Sequence, residues 1–129
     1  MNCTLFSSSE AELVEGTGDL PAYADGESKM SVTTVPVGKV LELGASWNEI
    51  HVALGDHGED HPLGFLRAGG RPLPTMQSGG DSGRCFTAAE TVQLLAWVAR
   101  LEDPRVRKLR QFLADAVLAN HGIIVHHFA

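Results

Sequence analysis

The chain has 129 residues, of which 43% are hydrophobic and 20% are charged, a balance typical of a globular domain rather than a disordered segment. Sixteen acidic residues outnumber ten basic ones, and the formal net charge of −6 disfavours nucleic acid as a partner, since phosphate backbones attract basic surfaces. The length predicts one domain with a single core, spanning residues 1–129.

Cysteine usage and the first residues predict the cellular compartment. Cys3 and Cys85 are far apart and lack the spacing of a metal site. The chain starts without a basic region followed by an apolar run, and no apolar run is long enough to span a bilayer. We therefore expect a cytoplasmic protein with two reduced thiols and no membrane segment.

The first third of the chain predicts a strand, a short helix and a long loop. Cys3–Phe6 has strand composition and precedes three serines, a residue type that caps helices. Residues 16–31 are rich in Gly, Asp and Ser and predict the loop. Ser31–Val37 also has strand composition, but Pro36 confines it to a sheet edge.

The stretch Val40–Gly70 predicts an amphipathic helix followed by a polar loop. The apolar residues of the helix are spaced four, three and four apart, which places them on one face: Leu43, Trp47, Ile50 and Leu54. Gly55 ends the helix, and the chain returns through an apolar segment to Gly69 and Gly70.

Arg84–Phe86 is predicted to be a short strand, and two helices and a final strand are predicted to follow it. Thr87 and Glu90 have the spacing of a capping box, and the helix that follows, to about Leu101, is apolar almost all round, which predicts a central buried helix. The next helix is predicted to begin with Asp103 as its N-cap and Pro104 at its first helical position.

The last helix and strand complete the prediction. The inner face of the last helix is predicted to consist of Val106, Leu109, Leu113, Ala116 and Val117. Asn120–Gly122 predicts a helix stop with a left-handed residue at Gly122, and Ile123–Phe128 is the strongest strand signal in the chain. The fold class expected is α+β, a single domain with a small mixed sheet packed against about three to four helices.

Four ordered segments resemble a known family. LELGASWNEIHVALG, DHPLGFLRAGGRP, SGRCFTAAETVQLLAWVARL and FLADAVLANHGIIVHHF are together similar to the small YfbM-like bacterial domain of unknown function. The matching positions are Leu43, Trp47, Ile50, His51, Gly55, Pro62, Leu63, Gly69, Gly70, Arg84, Thr87 and Glu90. The resemblance covers about residues 38–128 and departs from the family pattern at Gly44, Ala45 and Ala88. It implies one α/β sandwich-like domain and no established activity.

Residues 56–61 form the densest group of potential metal ligands. The group contains Asp56, His57, Glu59, Asp60 and His61, and His51 on the preceding helix is a possible third imidazole. Two histidines with a carboxylate are the ligand set of many zinc and iron sites. A solvated acidic loop is the structural alternative, and it is favoured because spacing alone does not establish convergent geometry.

A second candidate site is a cleft around the Gly69-Gly70 turn. A third hypothesis, after a binding domain and a metal-dependent hydrolase, is that Arg67, Arg71 and Arg84 converge there to hold an anionic small molecule. The proposed lining of the cleft is Trp47, His51, His61, Arg67, Arg71 and Arg84. Cys85 is interpreted as a buried structural cysteine, because its neighbour Arg84 would point to the opposite face of a strand.

Five of the ten basic residues lie between Arg100 and Arg110. The favoured interpretation is that Arg105, Lys108 and Arg110 form the solvent-exposed side of an amphipathic helix, and the alternative is that the cluster binds an acidic neighbour. No motif for a phosphate or dinucleotide is present, so no cofactor is expected. The function favoured by the sequence is a cytoplasmic binding domain that acts through a protein partner. The alternative is a small metal-dependent hydrolase using His51, His57 and His61 with the loop carboxylates.

Overall fold

The structure, a computed structural model, describes residues 2–9, 11, 38–54, 70–72 and 82–128. The described strands are β1 (Asn2–Ser8), β2 (Val40–Glu42), β3 (Arg71–Pro72), β4 (Ser82–Phe86) and β5 (Gly122–Phe128). The described helices are α1 (Ser46–Leu54), α2 (Ala88–Val98) and α3 (Arg107–Leu118), and a 3-10 turn at Pro104–Val106 leads into α3.

The described strands form one sheet in the order β2-β1-β5-β4-β3, and every described pair is antiparallel. The α+β class is therefore confirmed, but the mixed sheet that we expected is not found among the described strands. The reason lies in the connection between β4 and β5. It contains two helices, so the chain reverses direction once more than in a single-helix crossover and β5 runs antiparallel to β4.

One face of the sheet carries the core under the helices. The register places Leu5 of β1 and Arg84 of β4 beside Val125 of β5, and it pairs Phe86 with Ile123. The apolar members of this face are fully buried and join one cluster with residues of all three helices. The predicted final strand is thus the middle strand of the sheet.

Helix α1 begins at Ser46, after a turn in which Gly44 has a φ of 54°. Leu43, Trp47 and Ile50 are all buried, which confirms the predicted core face for these three positions. Leu43 lies before the helix rather than in it, because Gly44 turns the chain between them. The side chain of Leu54 is not in the part of the chain that the structure describes.

The capping box of α2 is confirmed. The Thr87 N–H donates to Glu90 Oε1 at 2.9 Å, and the Glu90 N–H donates to Thr87 Oγ1 at 3.1 Å. The prediction of a central buried helix is wrong, because Val92 is 53% exposed. Helix α2 packs with one face on α3 and the sheet, so the apolar residues opposite that face meet solvent.

Asp103 caps the 3-10 turn before α3, as predicted, and its side chain accepts from the Arg105 N–H at 2.9 Å. The predicted left-handed residue at Gly122 is wrong: Asn120 has the positive φ, at 59°. Gly122 instead begins β5, where an added Cβ would overlap the carbonyl oxygen of Phe86. Phe112, absent from the predicted inner face, is also buried.

Several predictions fall outside the described residues. They are the helix after β1, the loop at 16–31, the strand at Ser31–Val37 and the loop that follows α1. Within the described ranges, no helix is both long and apolar enough to cross a bilayer.

Candidate functional site

A groove of about 210 Å³ lies between α1 and the start of α3, and we call it the α1–α3 groove. It is lined by Leu43, Ser46, Glu49 and Ile50 on the α1 side and by Pro104, Arg105 and Lys108 on the α3 side. All of these residues belong to the described part of the chain. The floor of the groove is apolar, whereas its two rims carry charged side chains.

The floor of the groove is apolar and belongs to the core. Leu43 and Ile50 retain 7% and 2% of their exposure, and both are members of the central cluster. Their small exposed parts face the groove. A partner side chain seated here would extend the existing core rather than form a separate pocket.

The start of α1 is closed to ligands by its own hydrogen bonds. The N–H groups of Ser46, Trp47 and Asn48 donate to carbonyl oxygens three residues earlier, at 3.0, 3.3 and 3.1 Å. The hydroxyl of Ser46 also donates to the carbonyl oxygen of Leu43, at 2.5 Å. The dipole of α1 therefore has no free donors at this end with which to hold an anion.

Arg105 on the α3 rim is already paired. Its Nε and NH2 groups donate to the two carboxylate oxygens of Asp103, at 2.9 and 2.5 Å. The hydrogen bonds from Arg105 lower the pKa of Asp103 to about 2. The same side-chain hydrogen bond raises the pKa of Arg105, with a smaller contribution from the negative charge of Glu49 across the groove.

Lys108 is the second cation of the α3 rim. The residue is exposed, and its ammonium group makes no ion pair or hydrogen bond with any described residue. Glu49 provides the negative charge of the opposite rim. The α1–α3 groove therefore has an apolar floor between one acidic rim and one basic rim, whose lysine has no ion partner among the described residues.

The basic cluster predicted at Arg100–Arg110 is divided by the geometry of α3. Arg105 and Lys108 line the groove, whereas Arg107 is exposed and lies outside the lining. Arg110 is half-buried on the helix. The only acidic residues between Arg100 and Arg110 are Glu102 and Asp103, so this segment has a formal net charge of +3. The formal net charge of the whole chain is −6.

Trp47, a predicted cleft residue, is a core residue. It is 1% exposed, and its ring centroid lies 5.2 Å from that of His127 on β5, with the ring planes tilted by 55°. His127 is itself 2% exposed and is directly opposite Cys3 in the register with β1. The contact fixes α1 on the sheet. Burial raises the pKa of the Cys3 thiol far above its usual range, which leaves it neutral.

Two of the predicted cleft arginines lie on opposite faces of the sheet. Arg71 is the register partner of Cys85, and Arg84 is that of Pro72. Register partners lie on the same face of the sheet, and successive residues of one strand lie on alternate faces. Arg84 therefore lies on the same face as Val125, and Arg71 lies on the opposite face with Cys85. Burial raises the pKa of Cys85, and Arg71 opposes this by its charge and a hydrogen bond. Cys85 is buried, as predicted.

The remaining predicted site residues are outside the description. They are His57, His61 and Arg67, the loop carboxylates Asp56, Glu59 and Asp60, and the side chain of His51. The metal site therefore stays a prediction, and so does the contribution of His51, His61 and Arg67 to a cleft. Among the described residues, no group of three or more His, Cys, Asp or Glu side chains is arranged to hold a metal ion.

The α1–α3 groove was missed by sequence reasoning because it joins two segments more than fifty residues apart. A signal was nevertheless present. Glu49 follows the apolar face of α1, and Arg105 and Lys108 are three apart at the edge of the apolar face of α3. Such rim residues become a site only when the two helices are adjacent, which periodicity does not reveal.

Comparisons with protein-family models, with curated proteins and with solved structures each found no match to this chain.

Proposed function

We propose that this chain is a binding domain that acts through a protein partner, and that the α1–α3 groove receives a side chain of that partner. The observation that carries this proposal is the combination of an apolar floor with charged, exposed rims. Protein interfaces have this anatomy, in which a desolvated anchor point is surrounded by a polar rim. A cytoplasmic location and a YfbM-like affiliation belong to the same proposal and rest on the sequence alone.

The size of the groove favours a protein partner over a small-molecule substrate. Pockets that enclose small ligands occupy roughly 300–1,000 Å³. The α1–α3 groove, at about 210 Å³, is smaller and suits one or two side chains of a larger surface.

The lining of the groove also lacks the arrangement that catalysis requires. Ser46 is its only hydroxyl, and that hydroxyl donates to the Leu43 carbonyl rather than to a base. Among the described residues of the lining, Glu49 is the only carboxylate, and it makes no ion pair with Lys108 on the opposite rim. Binding is therefore the chemistry that these residues support.

Site-specific photo-crosslinking in extracts of the source cells tests the proposal. A benzophenone side chain at Glu49, on the rim, should capture a defined protein that excess unmodified chain displaces. The same group at Asn48, which is exposed on the same helix but outside the lining, is the matched control. The purified captured protein should then bind the chain, and Glu49→Trp should weaken that binding far more than Asn48→Trp. Identical capture from both positions would refute the proposal.

The metal-dependent hydrolase remains a sequence hypothesis, and no described residue favours it. It depends on His57 and His61. Elemental analysis of the purified chain, compared with the His57→Ala, His61→Ala double variant, tests it directly: metal content that does not change between the two would remove its support.

A further inference from the structure

We infer that the partner segment recognised by the α1–α3 groove is acidic, with an apolar side chain on the floor and a carboxylate paired with Lys108. This inference rests on the proposed function and specifies its chemistry.

The charge of the α3 rim carries the first step. Arg105 is neutralised by two hydrogen bonds to Asp103, whereas Lys108 has no ion partner among the described residues. The surrounding segment is net positive although the whole chain is net negative. An approaching carboxylate is therefore attracted to this rim, although the net charge of the whole chain is negative.

The opposite rim fixes the orientation of the segment. Glu49 repels a carboxylate on the α1 side, so the acidic group must lie toward α3. The floor between the rims consists of Leu43 and Ile50, which offer no hydrogen bond from their side chains. An apolar side chain next to a carboxylate satisfies both surfaces at once.

The same features argue against a nucleic acid as the occupant. The lining contains two basic residues, one of them already paired, and no aromatic residue on which a base could stack. Phosphate binding at the start of α1 is also blocked, because its first N–H groups are hydrogen-bonded within the chain.

Fluorescence anisotropy with three labelled octapeptides tests the inference. Each has a central pair of leucines, flanked by Glu, by Gln or by Lys. We expect the Glu peptide to bind about fivefold more tightly than the Lys peptide, and Lys108→Glu to weaken its binding about fivefold. Arg107→Glu makes the same change of charge on an exposed residue outside the groove, and it should alter binding less than about twofold.

The outcomes separate this inference from the proposed function. Equal binding of the Gln and Glu peptides, or equal losses in Lys108→Glu and Arg107→Glu, would overturn the acidic specificity. A Glu peptide that fails to bind at about 1 mM would overturn it as well. None of these results would affect a position-dependent crosslink at Glu49, on which the proposed function depends.

Discussion

Replacing Trp47 by alanine tests how α1 is held on the sheet. The side chain is 1% exposed and contacts the ring of His127. A buried aromatic removes roughly 200 Å² from water, and about 25 cal/mol per Å² gives an upper value near 5 kcal/mol. Substitutions of this kind cost about 3–5 kcal/mol, so we expect a loss of about 4 kcal/mol in the free energy of unfolding.

Urea denaturation followed by circular dichroism measures this loss. Trp97→Ala is the control, since Trp97 is only half-buried and should lose about 2 kcal/mol. Each variant keeps one tryptophan, so fluorescence provides a second probe of the same transition. A loss in Trp47→Ala no larger than that in Trp97→Ala would show that Trp47 does not anchor α1.

Three further predictions follow from local geometry. Gly122→Ala should lower the free energy of unfolding by about 2 kcal/mol or more in the same assay, because the new Cβ overlaps the Phe86 carbonyl; an unchanged midpoint would contradict this. By NMR titration, the Asp103 carboxyl should show a pKa of about 2 that Arg105→Ala returns toward 3.8. Because the folded pKa is lowered, the stabilising contribution of this pair is present above about pH 4 and is lost as the pH falls toward 2; a midpoint insensitive to Arg105 would exclude the pairing. Cys3 should resist alkylation until the chain unfolds, since its thiol is buried and neutral; rapid labelling under native conditions would contradict its placement.

Local signals predicted much of the described fold. The capping box of α2 depends only on Thr87 and Glu90, and the start of α3 depends on Asp103 and Pro104, so each could be identified without knowledge of the rest of the chain. The strand at Ile123–Phe128 was equally clear from its composition.

Features that depend on distant segments were not predicted. The exposure of Val92 depends on where α3 packs, and the role of Gly122 depends on the approach of Phe86 from another strand. The short strand β2 escaped detection because Val40–Glu42 has too few residues for an alternating pattern. The α1–α3 groove belongs to this group, since its two rims meet only in the folded chain.

The pairing of β1 with β5 makes neighbours of Asn2 and Phe128. Two antiparallel strands whose ends meet in this way can be joined by a hairpin turn of two residues. A two-residue turn that joins Asn2 to Phe128, with the backbone opened elsewhere, is therefore compatible with the register of β1 and β5. Such a circular permutant would turn the most distant contact in the sequence into a local one and should speed folding.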